Sequence, residues 1–79
     1  MIAPNSTFSA DVKLHLWIGD RTYELGHLGP GFALLGEAQT IDATEGEIET
    51  IIDGESDRCP IRITSEITSE SKRFMFESV

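Results

Sequence analysis

Residues 12–28 read VKLHLWIGDRTYELGHL, and the first seven alternate without a break. Val12, Leu14, Leu16 and Ile18 fall on one side; Lys13, His15 and Trp17 fall on the other. Period-two alternation suits a strand buried on one face and does not suit a helix. Gly19-Asp20 follows, with glycine where a type II′ hairpin turn needs a positive φ. That turn sets Leu16 opposite Tyr23, Leu14 opposite Leu25 and Val12 opposite His27 on the buried face. On the wet face Trp17 meets Thr22, His15 meets Glu24 and Lys13 meets Gly26. Both faces agree, so a hairpin is expected.

The rest of the chain is patterned in the same way. GHLGPGF (26–32) clusters three glycines around Pro30, which ends a strand and turns the chain. FALLG reads as a buried strand with Phe32 and Leu34 inward, continued or restarted by EAQTID, and ATEG (43–46) as a turn. In residues 47–64 Ile48, Thr50 and Ile52 alternate, as do Cys59, Ile61 and Ile63, which reads as a second hairpin. A two-residue Asp53-Gly54 turn would pair Ile48 with Cys59 and Glu49 with Arg58. A four-residue loop over 53–56 would pair Ile48 with Ile61 and Glu47 with Arg62, and is preferred for its apolar and ionic matches. Pro60 cannot donate to a ladder and places its strand at an edge or a bulge. SEITSESK (65–72) is a polar loop, and RFMFESV alternates as a closing strand.

No segment sustains helical periodicity over three turns. The expected fold is a single all-β domain over residues 1–79, with 1–9 as an N-terminal extension. It is a small antiparallel meander of five or six strands, forming a barrel or compact sandwich. Its expected core is Val12, Leu14, Leu16, Tyr23, Leu25, Phe32, Leu34, Ile48, Ile52, Ile61 and Ile63.

A chain of 79 residues buries only about 60–65% of the surface its unfolded form exposes. Its one cysteine, Cys59, permits no internal disulfide and fits a reducing compartment. With His15 and His27 that cysteine is too little for a zinc knuckle, and no metal or other cofactor is expected. The net charge of −8 disfavours direct binding to nucleic acid and favours basic protein surfaces. The sequence shows no signal peptide and no apolar run long enough to span a bilayer, so a cytoplasmic location off the membrane is expected. The sequon Asn5-Ser6-Thr7 carries no meaning in that setting.

Three constellations invite a chemical reading. His15, Glu24 and Cys59 are the types a nucleophilic site uses, but His15 and Glu24 point outward while Cys59 faces inward with Ile61. Groups on opposite sides of a sheet cannot share a proton, so no catalytic residues are expected and the chain is not read as an enzyme. Asp53, Glu55 and Asp57 alternate as calcium ligands do, but Arg58 and Thr64 stand where the loop needs glycine and a bidentate acid. Glu37, Asp42, Glu45, Glu47, Glu49, Asp53, Glu55 and Asp57 form an acidic band free of Lys and Arg. Such a band either solubilises the protein or mimics the phosphates of a duplex, as an inhibitor or antitoxin would. Lys13, His15, Trp17, Thr22 and Glu24 remain as a candidate interaction surface around an outward Trp, or as a face lidded by Phe8.

LGPGFALL followed by IIDGESDRCPIRIT resembles a pattern found in small bacterial proteins without an assigned activity. It runs as a Leu-Gly-Pro-x-Phe turn, then an Ile-Asp-Gly hairpin ending in Arg58-Cys59-Pro60-Ile61-Arg62. The likeness covers about residues 12–65 and implies an all-β fold but no chemistry. The cyclic-dinucleotide-binding PilZ barrel is similar in strand count, but its Arg-x-x-x-Arg and Asp/Asn-x-Ser-x-x-Gly motifs are absent. A degenerate, non-binding relative of it is one alternative. The main expectation is a small non-enzymatic protein-binding or regulatory module, with a protein partner or a homodimer through the Trp17 face.

Overall fold

The computed structural model describes residues 12–79, so the N-terminal extension and Phe8 lie outside the described residues. Six strands form: β1 (Val12–Ile18), β2 (Arg21–Gly29), β3 (Phe32–Leu35), β4 (Glu45–Ile52), β5 (Glu55–Ile63) and β6 (Arg73–Ser78). They close into an antiparallel barrel in the order β1-β2-β3-β6-β5-β4. Three tight hairpins supply much of the connectivity, and the order departs from a sequential meander only where residues 36–44 carry the chain from β3 to β4. No helix occurs among the described residues.

The first hairpin forms in the expected register, with His15 opposite Glu24, Leu16 opposite Tyr23 and Trp17 opposite Thr22. Gly19 has φ +62°, and Asp20 stays at negative φ, as a type II′ turn demands. The pairing stops at His15, where the sequence pattern would have run on to Val12 and His27. Gly26 is the reason. It is an extra residue between Leu25, opposite Leu35, and His27, opposite Leu34, and this bulge bends β2 away from β1 toward β3.

One extra residue also inverts the next strand. Ala33 and Leu35 point inward, while Phe32 and Leu34, expected in the core, are only half-buried. Phe32 lies outside, with its ring centroid 5.8 Å from that of His27 and the Arg73 guanidinium 4.8 Å above it. His27 is therefore exposed rather than buried. Inside, the small Ala33 stands opposite Phe74, both wholly buried, so a small residue makes room for a large one.

The second hairpin takes the two-residue turn, with Asp53 at φ +52° and Gly54 at φ +87°. Ile48 faces Cys59, Glu49 faces Arg58 and Glu45 faces Arg62, so the four-residue loop is corrected. Two consecutive positive φ values define a type I′ turn, whose twist matches that of the strands. That local preference outweighs the Glu47–Arg62 match, and Arg58 reaches Glu47 on the diagonal instead.

β1 then pairs with β4, setting Leu16 against Ile48 and closing the wall. The core comprises Leu16, Leu25, Ala33, Leu35, Ile41, Ile48, Ile61, Ile63, Ile67 and Phe74, with Leu14 and Tyr23 packed against its margin. Val12 and Ile52, expected inside, are 50% and 47% exposed. They do sit on the inward side of their strands, but opposite one another where the β4–β5 hairpin overhangs the barrel. EAQTID forms no strand; Ile41 makes a single bridge to Ile67, and the two isoleucines plug the opposite end. ATEG gives way to β4 at Glu45. Residues 64–72 form a loop, as expected, although Ile67 within it is buried.

Gly46 shows how tightly the wall closes. A Cβ there would stand 2.6 Å from the Trp17 carbonyl oxygen and 2.8 Å from Ile18 Cδ1. At Gly26 the nearest atom to an added Cβ would be 3.9 Å away. Gly46→Ala is therefore expected to destabilise the barrel by about 1–3 kcal/mol, the usual cost of overpacking. Gly26→Ala should lie within about 0.5 kcal/mol of wild type, as substitutions without such a clash do. Urea unfolding of the two variants measures the contrast, and equal midpoints would contradict it.

Candidate functional site

Closure of β1 on β4 brings the two sequence features together. Trp17 lies opposite Glu47 and His15 opposite Glu49, so the aromatic face and part of the acidic band share one outer surface. On that surface Glu49 accepts hydrogen bonds on both carboxylate oxygens. Trp17 Nε1 donates to Oε1 at 2.8 Å, and Ser56 Oγ donates to Oε2 at 2.6 Å. His15 Nδ1 lies 3.4 Å from the same Oε1. The Glu49 side chain keeps only 13% of its surface exposed, against 27% for His15.

Next to this hub the Arg58 guanidinium carbon sits 4.4 Å above the centre of the Trp17 ring. The same guanidinium forms an ion pair with Glu47. Trp17 is thus held at its edge by Glu49 and on one face by Arg58 while remaining half-exposed. Cation–π contact over Trp is the strongest of its kind, worth about 0.5–1 kcal/mol at an exposed site. The other members of the expected surface, Lys13, Thr22 and Glu24, are exposed and flank the cluster without joining it. Glu49, Ser56 and Arg58 complete it. Their role needed the β1–β4 pairing, for which the sequence carries no local signal.

The acidic band divides. Glu45, Glu47 and Glu49 line the outer side of β4, interleaved with Arg58 and Arg62 across the ladder. Glu55 and Asp57 alternate with Ser56 and so belong to the inner side of the overhanging hairpin. Asp53 sits in its turn, and Glu37 and Asp42 lie on the link from β3. Among the described residues no group of three His, Cys, Asp or Glu side chains could hold a metal ion.

Cys59 shares the inward side of β5 with Ile61, as expected, but it lies at the open end and its thiol is exposed. His15 and Glu49 are on the outer side of the same wall. A base on one side and a thiol on the other cannot exchange a proton. Comparison of the chain with protein-family models, curated protein sequences and solved structures finds no match.

The hydrogen bonds from Ser56 and then Trp17, with His15 nearby, hold the Glu49 carboxyl below its ordinary value of 4.5. A carboxyl whose pKa is depressed by folding contributes stability above its unfolded value and loses it as pH falls through the folded one. Wild type should therefore lose stability more steeply than Glu49→Gln as pH falls below about 4.5. Urea midpoints from neutral pH down to that range test this, and parallel pH profiles would contradict it.

Proposed function

We propose that the chain is a non-enzymatic protein-binding or regulatory module that engages its partner through the outer face of β1, β4 and β5, centred on Trp17. The observation that carries this reading is the fixed, half-exposed Trp17 between Glu49 and Arg58. Trp and Arg dominate interface hot spots, and a side chain already held in place loses little entropy on binding. The partner is a protein surface with basic character, matched to a net charge of −8; a second copy, which carries the same charge, would instead be held by Trp17 against Trp17. An exposed Cys59 thiol suits a reducing, cytoplasmic setting. Duplex mimicry draws less support, because the acids divide between two sides of the sheet and arginines interrupt the outer row. Descent from a cyclic-dinucleotide-binding barrel that lost its ligand motifs is a second reading, favoured by the closure of six strands.

Trp17→Ala should weaken self-association about 30-fold or more, the scale of losing a 2 kcal/mol hot spot, with the β-sheet circular dichroism unchanged. Sedimentation of wild type and variant over a concentration series reads both. If the two proteins are folded and sediment alike, the dimer is wrong. If the variant unfolds, Trp17 is structural.

A further inference from the structure

His15 has a carboxylate in register on each side. Its partner across the ladder is Glu24 on β2 and Glu49 on β4. Its Nδ1 lies 3.4 Å from Glu49 Oε1, the same oxygen that accepts from Trp17 Nε1 at 2.8 Å. The imidazole thus stands next in line for the hydrogen bond that fixes the indole. A neutral imidazole carries one N–H, and one of its tautomers leaves Nδ1 bare, whereas an imidazolium has a proton on both nitrogens. Histidine is also the side chain suited to changing charge between about pH 5 and 8.

The charged groups around His15 come from every strand packed against it. β1 itself contributes Lys13, two residues away on the same side. β2 contributes Glu24, with Glu37 beyond it across a shared hollow. β4 contributes Glu47 and Glu49, and β5 contributes Arg58, which is paired with Glu47 and stacked on Trp17. On these four strands three carboxylates stand against two cations, so one proton on His15 cancels the excess. Of the three, Glu49 is the one within reach of the ring and the one held in place by Trp17 and Ser56.

We infer that His15 is a pH-sensitive switch for the Trp17 face. As pH falls from about 8 to about 5 the imidazole gains a proton, and Nδ1–H donates to Glu49 Oε1 in a charge-assisted bond. That bond competes with the indole N–H for one oxygen, so the hold on Trp17 loosens while the local charge becomes neutral. The face is then both less rigid and less attractive to a basic surface. The consequence for docking rests on the function proposed for the Trp17 face. The switch itself does not, because it operates within the free protein.

The test is a titration of the whole, partner-free protein from about pH 8 to about pH 5. It is followed by NMR through the single indole N–H and the ring protons of the two histidines. Glu49, held below its ordinary carboxyl value, stays ionised throughout. The indole proton should move upfield in one step, in parallel with the His15 ring, as its hydrogen bond lengthens. The step should vanish in His15→Gln and persist in His27→Gln, because His27 lies against Phe32 on another wall of the barrel. An indole resonance that stays fixed while His15 titrates would overturn the inference and give the new proton to Glu24 or to water. The absence of any step, a step that follows His27, or one that survives in His15→Gln would overturn it too. The comparison of indole with His15 ring is made in wild type, so a His15→Gln protein that fails to fold leaves the test decisive. Loss of the docking reading in the Trp17→Ala sedimentation experiment would leave this titration unaltered.

Discussion

The ladder between β1 and β4 is the contact on which the molecule depends. Without it the chain would be a strip of strands ending in two edges, with one apolar face open to water. With it Leu16 and Ile48 meet across the seam, both nearly inaccessible, and the strip becomes a closed wall. A barrel of this size has room inside only for side chains, so closure and core packing are one event. A side chain at Gly46 would strain the ladder, because a Cβ would stand 2.6 Å from the Trp17 carbonyl oxygen. A residue with no side chain thus lets the two hairpins join without strain.

The outer surface follows from the same seam. β1 brings an indole and an imidazole, and β4 brings carboxylates, so closure lays hydrogen-bond donors beside acceptors at sheet spacing. Glu49 faces Arg58 directly across β4–β5, yet bonds diagonally to Ser56 and to Trp17. Arg58 likewise bonds diagonally, to Glu47. Sheet twist brings diagonal neighbours within reach of long side chains, which is how one carboxylate serves three strands. The result stiffens the only tryptophan of the chain on the outside of the barrel.

What the sequence made legible divides along the same lines. Alternation with a glycine turn was enough for β1 and the start of β2, because turn geometry and hydrophobic pattern there point to one register. It was enough for β6 as well, where Phe74 and Phe76 alternate. The second hairpin was open to two registers, and weighing the Glu47–Arg62 match above the Asp-Gly turn selected the wrong one. Backbone φ is a stronger constraint than an exposed ion pair worth less than about 1 kcal/mol. The inversion of β3 was hidden in Gly26, since a bulge leaves no pattern in an apolar run such as FALL, where either face could be buried. The hub at Glu49 was illegible for another reason: non-local pairing joins residues whose separation along the chain carries no periodic signal.

The two ends of the barrel differ because of the lengths of their connections. At one end residues 36–44 and 64–72 are long enough to fold back, and each drops an isolated isoleucine into the core, Ile41 and Ile67. At the other end the turns are Pro30-Gly31 and Asp53-Gly54, which hold register but have no side chain to spare for a plug. The overhanging hairpin makes the difference larger, since Val12 and Ile52 continue the inward pattern beyond the point where anything among the described residues stands opposite to bury them. Cys59 falls in the same zone, which is why a residue of inward parity has an exposed thiol. Parity settles the side of a wall on which a residue lies, whereas the length of the neighbouring connection settles whether that side is dry.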